Sequence, residues 1–315
     1  MAGFNWTFDA PTGVFKNHDL SSQLRKASIA ETKFVQFVKP EPGYGKKKGE
    51  SVTITRVSSL TEPTDAKLTE NRDIPEDDLT ITTVAITVSE WGRSVPFSSF
   101  AEDLNSYNLE NSIQLALKDQ MKLVMDKAAA AAFKGCKVKA IPTGVSALTF
   151  DTDGTASSTA VANLNVYHVE QIRDYMFSTL LVNPYEGDDY IGLISTKGKR
   201  GIMNDPAWEK WQTYTSQEKK YNSEIGKLEN IRFIEVNNTN ALSNTLGTGS
   251  VLGEAVIFGA DAVALAVVED PELRAAIPRD FGRKKSVAWY GVLEYGEIWD
   301  TANAGESKIV HVTSA

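Results

Sequence analysis

Cysteine, histidine, long apolar runs and surplus positive charge are all scarce in this chain of 315 residues, and each shortage closes off a class of function. The single cysteine, Cys136, excludes an intrachain disulfide framework and a cysteine-based zinc site. Three histidines, His18, His168 and His311, lie far apart, with no His-x-x-x-His pair to place two metal ligands on one helix face. No stretch of eighteen apolar residues offers a membrane-spanning helix, and the opening "MAGFNWTFDAPTGVFKNHD" lacks the basic-then-apolar order of a signal peptide. The expectation is a soluble intracellular product with no membrane role, in which the triplets Asn5-Trp6-Thr7 and Asn237-Asn238-Thr239 are not glycosylated. Lys and Arg number 33 against 41 Asp and Glu, a net charge of -8, so the surface as a whole is unsuited to gripping phosphates.

Motifs with catalytic or cofactor chemistry fail on spacing. "DTDGT" at 151–155 begins like a calcium loop, but its glycine comes two positions early and Ala162 stands where a bidentate Glu is needed. "GYGKKKG" has phosphate-loop composition without the Gly-Lys-Ser/Thr ending, and "GTGSVLG" at 247–253 precedes a strand where a dinucleotide fingerprint needs a helix. Cys136 follows a helix C-terminus, where the dipole disfavours a thiolate. "NDPAWEKW" and "EDPEL" are acidic segments beside Pro, read as ordinary surface. No catalytic residue, metal ligand or cofactor is assigned, and the chain is not expected to be an enzyme.

What the sequence does contain is pattern. "GKKKGESVTITRV" (45–57) and "LTITTVAITVSEWG" (79–92) alternate as strands, the second with a phase slip near Thr82 and Thr83. Between them, residues 58–78 carry seven acidic side chains, two basic ones and two Pro. That is too long and polar for a tight hairpin turn, and an isolated hairpin is only marginally stable in water. Ahead of this flap, residues 1 to about 30 have no regular period, yet Phe4, Trp6, Phe8, Val14 and Phe15 need cover, which predicts an extended arm. Phe34, Val35, Phe37 and Val38 then predict a short strand stopped by Pro40.

Behind the flap, "VPFSSFAEDLNSYNLENSIQLALKDQMKLVMDKAAAAAFKG" predicts one long helix, capped by Ser98 or Ser99 and closed by Gly135. Ile113, Leu117, Met121, Val124 and Ala128 form its apolar stripe, and some 35 residues would run roughly 50 Å. A Gly, Thr and Ser-rich stretch at 137–163 marks a boundary. Beyond it come a helix capped by Asn165 with Val166, Val169, Ile172, Met176 and Leu180 buried, a strand in "DYIGLIST", a helix in "NDPAWEKWQTY" and a strand in "IRFIEVNN". The apolar segment "EAVIFGADAVALAVV", broken at Gly259 to Asp261, and the strands "SVAWYGVLEYGEIWD" and "SKIVHVTS" complete the chain. The last two are expected to return to the long helix to be buried.

The order of these pieces resembles the major capsid proteins of tailed phages, the α+β fold named after coliphage Hong Kong 97 (HK97-like). The stretches that carry the resemblance are "GESVTITRV", "LTITTVAITVSEWGRSVPFSS", "MDKAAAAAFKG", "GKLENIRFIEVNN" and "EAVIFGADAVA"; no single one is specific, and their succession along the chain is. The resemblance implies an N-terminal arm at 1–32, an extended loop at 40–90, a peripheral domain with a spine helix at 33–39, 91–140 and 268–315, and an axial domain at 141–267. It further implies homo-oligomers, hexamers and pentamers, in a phage head that encloses double-stranded DNA without sequence-specific binding, made in the bacterial cytoplasm and located in the virion. The absence of a long helical N-terminal extension suggests a separate scaffolding protein or a processed precursor; a portal and a decoration protein are further partners of such shells. Expected inter-subunit contacts are Phe4, Trp6 and Phe8 of the arm, the basic flap base Lys46, Lys47 and Lys48, and the acidic crest Glu70, Asp73, Glu76, Asp77 and Asp78. Crosslinking through the lysines is not claimed. The competing readings are a bacterial nanocompartment shell of the same fold, an α/β hydrolase using carboxylates, and a nucleic-acid-binding protein.

Overall fold

The computed structural model describes residues 27–208 and 224–315, apart from 61, 65, 69, 71, 72 and 105–107. A 3-10 turn at Val35–Phe37 stands where the pattern predicted a short strand, and the two-residue strand that follows, β1 (Lys39–Pro40), includes the Pro40 expected to stop it. The turn places Phe34 and Phe37 on one side, three residues apart, and both are buried in the same core. The Asp126 carboxylate fixes this entry by accepting from the backbone N–H of Lys33 and Phe34 at 2.9 and 2.8 Å.

The flap follows as β2 (Ser51–Val57) and β3 (Ile81–Thr87), paired antiparallel with Val52 opposite Ile86, Ile54 opposite Val84 and Arg56 opposite Thr82. Next come β4 (Ser89–Ser98), α1 (Ser99–Leu104) and α2 (Leu109–Lys134). The single long helix of the sequence reading is thus two helices. Asn108 supplies α2 with its own N-cap, its side chain accepting from the Asn111 N–H at 2.9 Å, so α2 runs about 39 Å and not 50 Å. Ser98 caps α1 through Ala101. Gly135 closes α2 as expected. Leu117 is buried on the predicted stripe, but toward the end of α2 the deepest residues are Met125, Ala129, Ala130 and Phe133.

The remaining elements are β5 (Val138–Gly144), β6 (Ala147–Asp151), α3 (Val166–Asp174) with a π turn at Tyr175–Thr179, β7 (Tyr190–Ser195), α4 (Thr196–Met203), β8 (Glu224–Leu228), β9 (Ile231–Val236), β10 (Ala255–Phe258), β11 (Val263–Ala275), β12 (Lys284–Glu297) and β13 (Ile309–Val312). They build two larger sheets. One has the order β6-β5-β13-β10-β7-β9-β8, and the other β1-β11-β12-β4. The seven-stranded sheet is covered on both faces, which is why its strands read as unbroken apolar runs. On one face Ile191, Leu193, Ile234, Val256, Phe258 and Ile309 meet Phe34, Phe37 and Phe133 from the end of α2. On the other, Ile231, Phe233, Ile257, Val310 and Val312 meet Val166, Val169, Ile172, Met176 and Leu180 of α3 and its extension. The Asn165 cap is present, with His168 completing it from the third helical position. Gly192 is required here: a Cβ would lie 2.8 Å from the Phe233 ring.

The four-stranded sheet packs against α2 through Val287, Trp289, Leu293 and Tyr295, alternate residues of β12. Of the two terminal strands, only β12 stays in this sheet. β13 enters the seven-stranded sheet, parallel to β5 and antiparallel to β10. The dividing points expected at 140/141 and 267/268 fall inside β5 and β11, since each strand continues through them.

Candidate assembly surfaces

The phase slip in the flap decides which side chains meet the body of the chain. Val52, Ile54, Val84 and Ile86 share one face, and Ile86 sits on Ala264 and Ala266 of β11 with Tyr44 and Ile298 around it. A Cβ at Gly296 would lie 2.6 Å from Ile86, so that glycine lets the flap root seat. Past the slip the phase inverts: Val57 and Ile81 face each other across the pair, but both point outward and are exposed, as is Leu79.

Arg56 holds the root. It occupies the inward phase of Val52 and Ile54, is buried, donates from Nη1 to the Ile298 carbonyl at 3.1 Å and pairs with Asp300. Its guanidinium lies 5.2 Å from the Trp299 ring centre. Hydrogen bonding and charge from Arg56 hold the Asp300 carboxyl below the ordinary carboxylate range. One step outward, Ser58 donates to Glu306 Oε1 at 2.7 Å, while Thr301 and Asn303 donate to Oε2 at 2.8 and 3.0 Å. These bonds, that of Ser58 first, lower the Glu306 carboxyl too. The flap is therefore latched to residues 298–306 of its own chain.

Beyond the latch nothing of the described chain covers the flap. Glu70, Asp73, Glu76, Asp77 and Asp78 are exposed, and among the described residues none of them forms an ion pair. Ile74, also in this crest, is 74% exposed. Part of the basic base is engaged within its own chain. Lys46 pairs with Glu269 of its own chain at 3.2 Å, Lys48 donates to the Gly43 carbonyl, and Lys47 sits exposed at a left-handed turn position. Phe4, Trp6 and Phe8 lie outside the described residues.

A second exposed surface went unread in the sequence. The turn joining β11 to β12 carries the two most exposed large apolar side chains of the described chain, Phe281 and Ile277. It is nonetheless a bonded structure: Arg279 and Lys284 exchange backbone hydrogen bonds at 2.9 and 3.1 Å, and the Ser99 N–H donates to the Arg283 carbonyl at 3.0 Å. Asp280, Phe281 and Gly282 all have positive φ, of 54, 53 and 89°. For Phe that conformation costs roughly 1–2 kcal/mol. The signal that could have found it is "PRDFGRKK", basic residues interleaved with an aromatic at a Pro and Gly turn.

Several buried polar groups have structural partners. His311 Nε2 donates to Glu254 Oε1 at 2.7 Å and its Nδ1 faces Lys139 Nζ at 3.2 Å, an arrangement that a neutral ring satisfies. Burial lowers the His311 pKa. Burial works against the Glu254 carboxylate, but His311, the Ser243 N–H and Lys134 together hold it below the ordinary range. His168 donates from Nε2 to the Gly144 carbonyl at 2.8 Å. Burial pushes the Cys136 thiol up to about 12, so its inertness owes more to desolvation than to the helix dipole. "DTDGT" is a turn in which Asp153 accepts from the Thr155 N–H and Asp151 accepts from Ser157. Among the described residues no group of three or more His, Cys, Asp or Glu could hold a metal ion, and no helix is long and apolar enough to cross a membrane.

No protein-family model matches the chain, and no curated protein matches it in sequence. Solved structures do. The acid-stable capsid of Helicobacter pylori bacteriophage KHP30 aligns with a TM-score of 0.72 at 12% identity, covering 98% of both chains. The capsid chain of cyanophage Pam1 aligns at 0.69 and 12% identity over 100% of each, and that of Ralstonia phage GP4 at 0.67 and 14% over 99% and 98%. The chain has the HK97-like α+β fold of these phage capsid proteins along its whole length.

Proposed function

We propose that this chain is the major capsid protein of a tailed phage, a structural protein that self-assembles into hexamers and pentamers to form an icosahedral head around double-stranded DNA. The observation that carries this reading is the flap: a two-stranded element latched at its root, with outward apolar residues and an acidic crest that its own chain leaves in water. A surface of this kind suits a subunit that completes its folding energetics against neighbours. The likeness to capsid chains over both full lengths supports the same reading. Residues 40–90 then serve as the extended loop, residues 1–32 as the arm, and the α2 unit and the seven-stranded unit as peripheral and axial domains. A separate scaffolding protein and a portal would act with it. The negative net charge fits a wall that confines a genome without clamping it.

The test is deletion of residues 60–77 with a short turn joining the strands. The purified variant should keep its helical circular dichroism and a cooperative melt, and should lose the shells that negative-stain microscopy finds for the parent. Normal shells from the variant would remove the flap from assembly. A parent that stays a compact monomer under all assembly conditions would overturn the capsid reading.

A further inference from the structure

The acidic crest of the flap has no basic partner within the described chain, and the base lysines that sequence pattern offered as its counterpart are exposed or already engaged with their own chain. Among the described residues, α2 also exposes Lys118, Lys122 and Lys127, but the basic surface that carries the two most exposed large apolar side chains is the β11–β12 turn. Arg279, Arg283 and Lys284 are exposed there around Phe281 and Ile277, with Asp280 the one acid of the turn, and the nearest approach of an acid to Arg283 is that same Asp280 at 3.8 Å. Residues 70–78, "ENRDIPEDD", present five acids and one arginine, with Ile74 and the neighbouring Leu79 exposed among them. Each surface is a mixed patch, charge around exposed apolar side chains, and the two are opposite in sign. The flap root seats on Ala264 and Ala266 at the start of β11, while the basic turn closes its far end, about 30 Å along the strand.

We propose, resting on the assembly reading above, that the β11–β12 turn of one copy is the docking site for the acidic flap crest of a second copy. Phe281 and Ile277 meet Ile74 and Leu79, and Arg279, Arg283 and Lys284 face the crest carboxylates. Opposite potentials of this kind set partner choice and register more than bulk affinity. The left-handed Phe281 fits the proposal: an aromatic is held in an unfavourable conformation at the tip of a bonded turn, with its side chain fully exposed.

Charge exchange between copies tests it. One variant reverses the crest (D73K, E76K, D77K, D78K) and a second reverses the turn (R279E, R283E, K284E). Each alone should lose about tenfold or more in shell yield at low salt, because like charges then meet. Mixed in equal amounts they should assemble, since the positive crest of one fits the negative turn of the other. No rescue on mixing, with rescue when both reversals are placed in one chain, would mean that the contact lies within a chain and would overturn the proposal. Wild-type yields from each variant alone would overturn it as well. Circular dichroism melts of both variants identify any that fail to fold, and Phe281→Gly serves in their place: it relaxes the backbone, so the subunit should melt no lower while shell yield drops. Unchanged yield with Phe281→Gly would count against the site. A wild-type chain that forms no shells overturns the assembly reading itself, which distinguishes that failure from failure of this contact.

Discussion

The seven-stranded sheet and the flap are both β-structure, but they solve opposite problems. In the sheet, successive residues alternate between two covered faces: in β10, Val256 and Phe258 turn to the α2 side while Ala255 and Ile257 turn to the α3 side. Each inner strand is paired on both sides by strands of its own chain. In the flap only one face is covered, and only near the root; after the slip at Thr82 and Thr83 the apolar phase moves to the uncovered face. The difference is one of apolar phase, since the β2–β3 register itself is unbroken. A single change of phase along a strand is enough to divide residues that fold the subunit from residues left for a neighbour.

The strongest way to probe that division is to damage the self-sufficient side. Phe258 is fully buried, with its ring 4.7 Å from Phe133 and 5.4 Å from Phe37, so it joins the sheet to α2 and to the chain entry. Phe258→Ala should cost about 3–5 kcal/mol, seen as a large fall in the denaturation midpoint of the unassembled subunit. Ile81→Ala, on the outer face of the flap, should leave that midpoint nearly unchanged. Equal losses from the two would erase the contrast.

A smaller effect comes from the junction between the sheets, where β12 ends. Burial, with a further contribution from nearby Asp300, raises the Glu297 carboxyl from 4.5 to about 8, against the opposing charges of Lys139, Lys137 and Arg56. Between those values the unfolded chain releases its proton and the folded chain keeps it, so the folded state binds more protons and stability falls as pH rises toward 8. His311 has the opposite slope: held neutral by burial, it makes the fold less stable as pH drops below 6.5. Glu297→Gln should flatten the fall in stability between pH 4.5 and about 8 by up to a few kcal/mol and leave the loss that His311 causes on acidification in place. Identical slopes across that window in the two proteins would assign the titration to another group.

Much of this was legible in the sequence, and the exceptions share a cause. The strands of the seven-stranded sheet, the Asn165 cap, the buried face of α3 and the flap pairing follow from local period. The partners of those strands do not. β13 inserts between β5 and β10 because its Ile309 and Val312 need two covered faces, and no local pattern marks a terminal strand for the middle of a sheet. The helix start at Asn108 was hidden by the helix formers that follow it, although Asn108 was present as a cap. Arg56 could have been flagged as a charge in an apolar phase. Its partner Asp300 lies 244 positions away, beyond any spacing argument.

The latch itself offers the next measurement. Arg56→Ala removes a buried guanidinium with three acceptors and leaves Asp300, the Ile298 carbonyl and the Thr82 hydroxyl without it. The global midpoint should move by about 1–3 kcal/mol, since charged hydrogen bonds are in that range. Limited proteolysis within residues 60–78 should accelerate more than the global shift explains, because the lost contact anchors the flap and not the core. Proteolysis that tracks global stability alone would mean that Arg56 supports the whole subunit equally.

The smallest expected effect is at the flap base. Lys46 and Glu269 are paired at 3.2 Å with the lysine side chain 68% exposed, and Glu269 is also held by Arg274. An exposed pair contributes little, because water and salt screen it. Lys46→Glu therefore should barely change subunit stability, and since Arg274 remains to hold Glu269, it should change assembly far less than reversal of the β11–β12 turn does. Salt separates the two sites further. As the screening length shrinks from about 10 Å at 0.1 M to about 3 Å at 1 M, an inter-subunit charge contact weakens, whereas an intrachain pair beside a folded strand leaves shell yield almost flat. If reversing Lys46, Lys47 and Lys48 together abolishes shells at low salt and high salt restores them, the base lysines face a neighbour after all, and the division between a self-latched root and a donated crest has to be redrawn closer to Gly43.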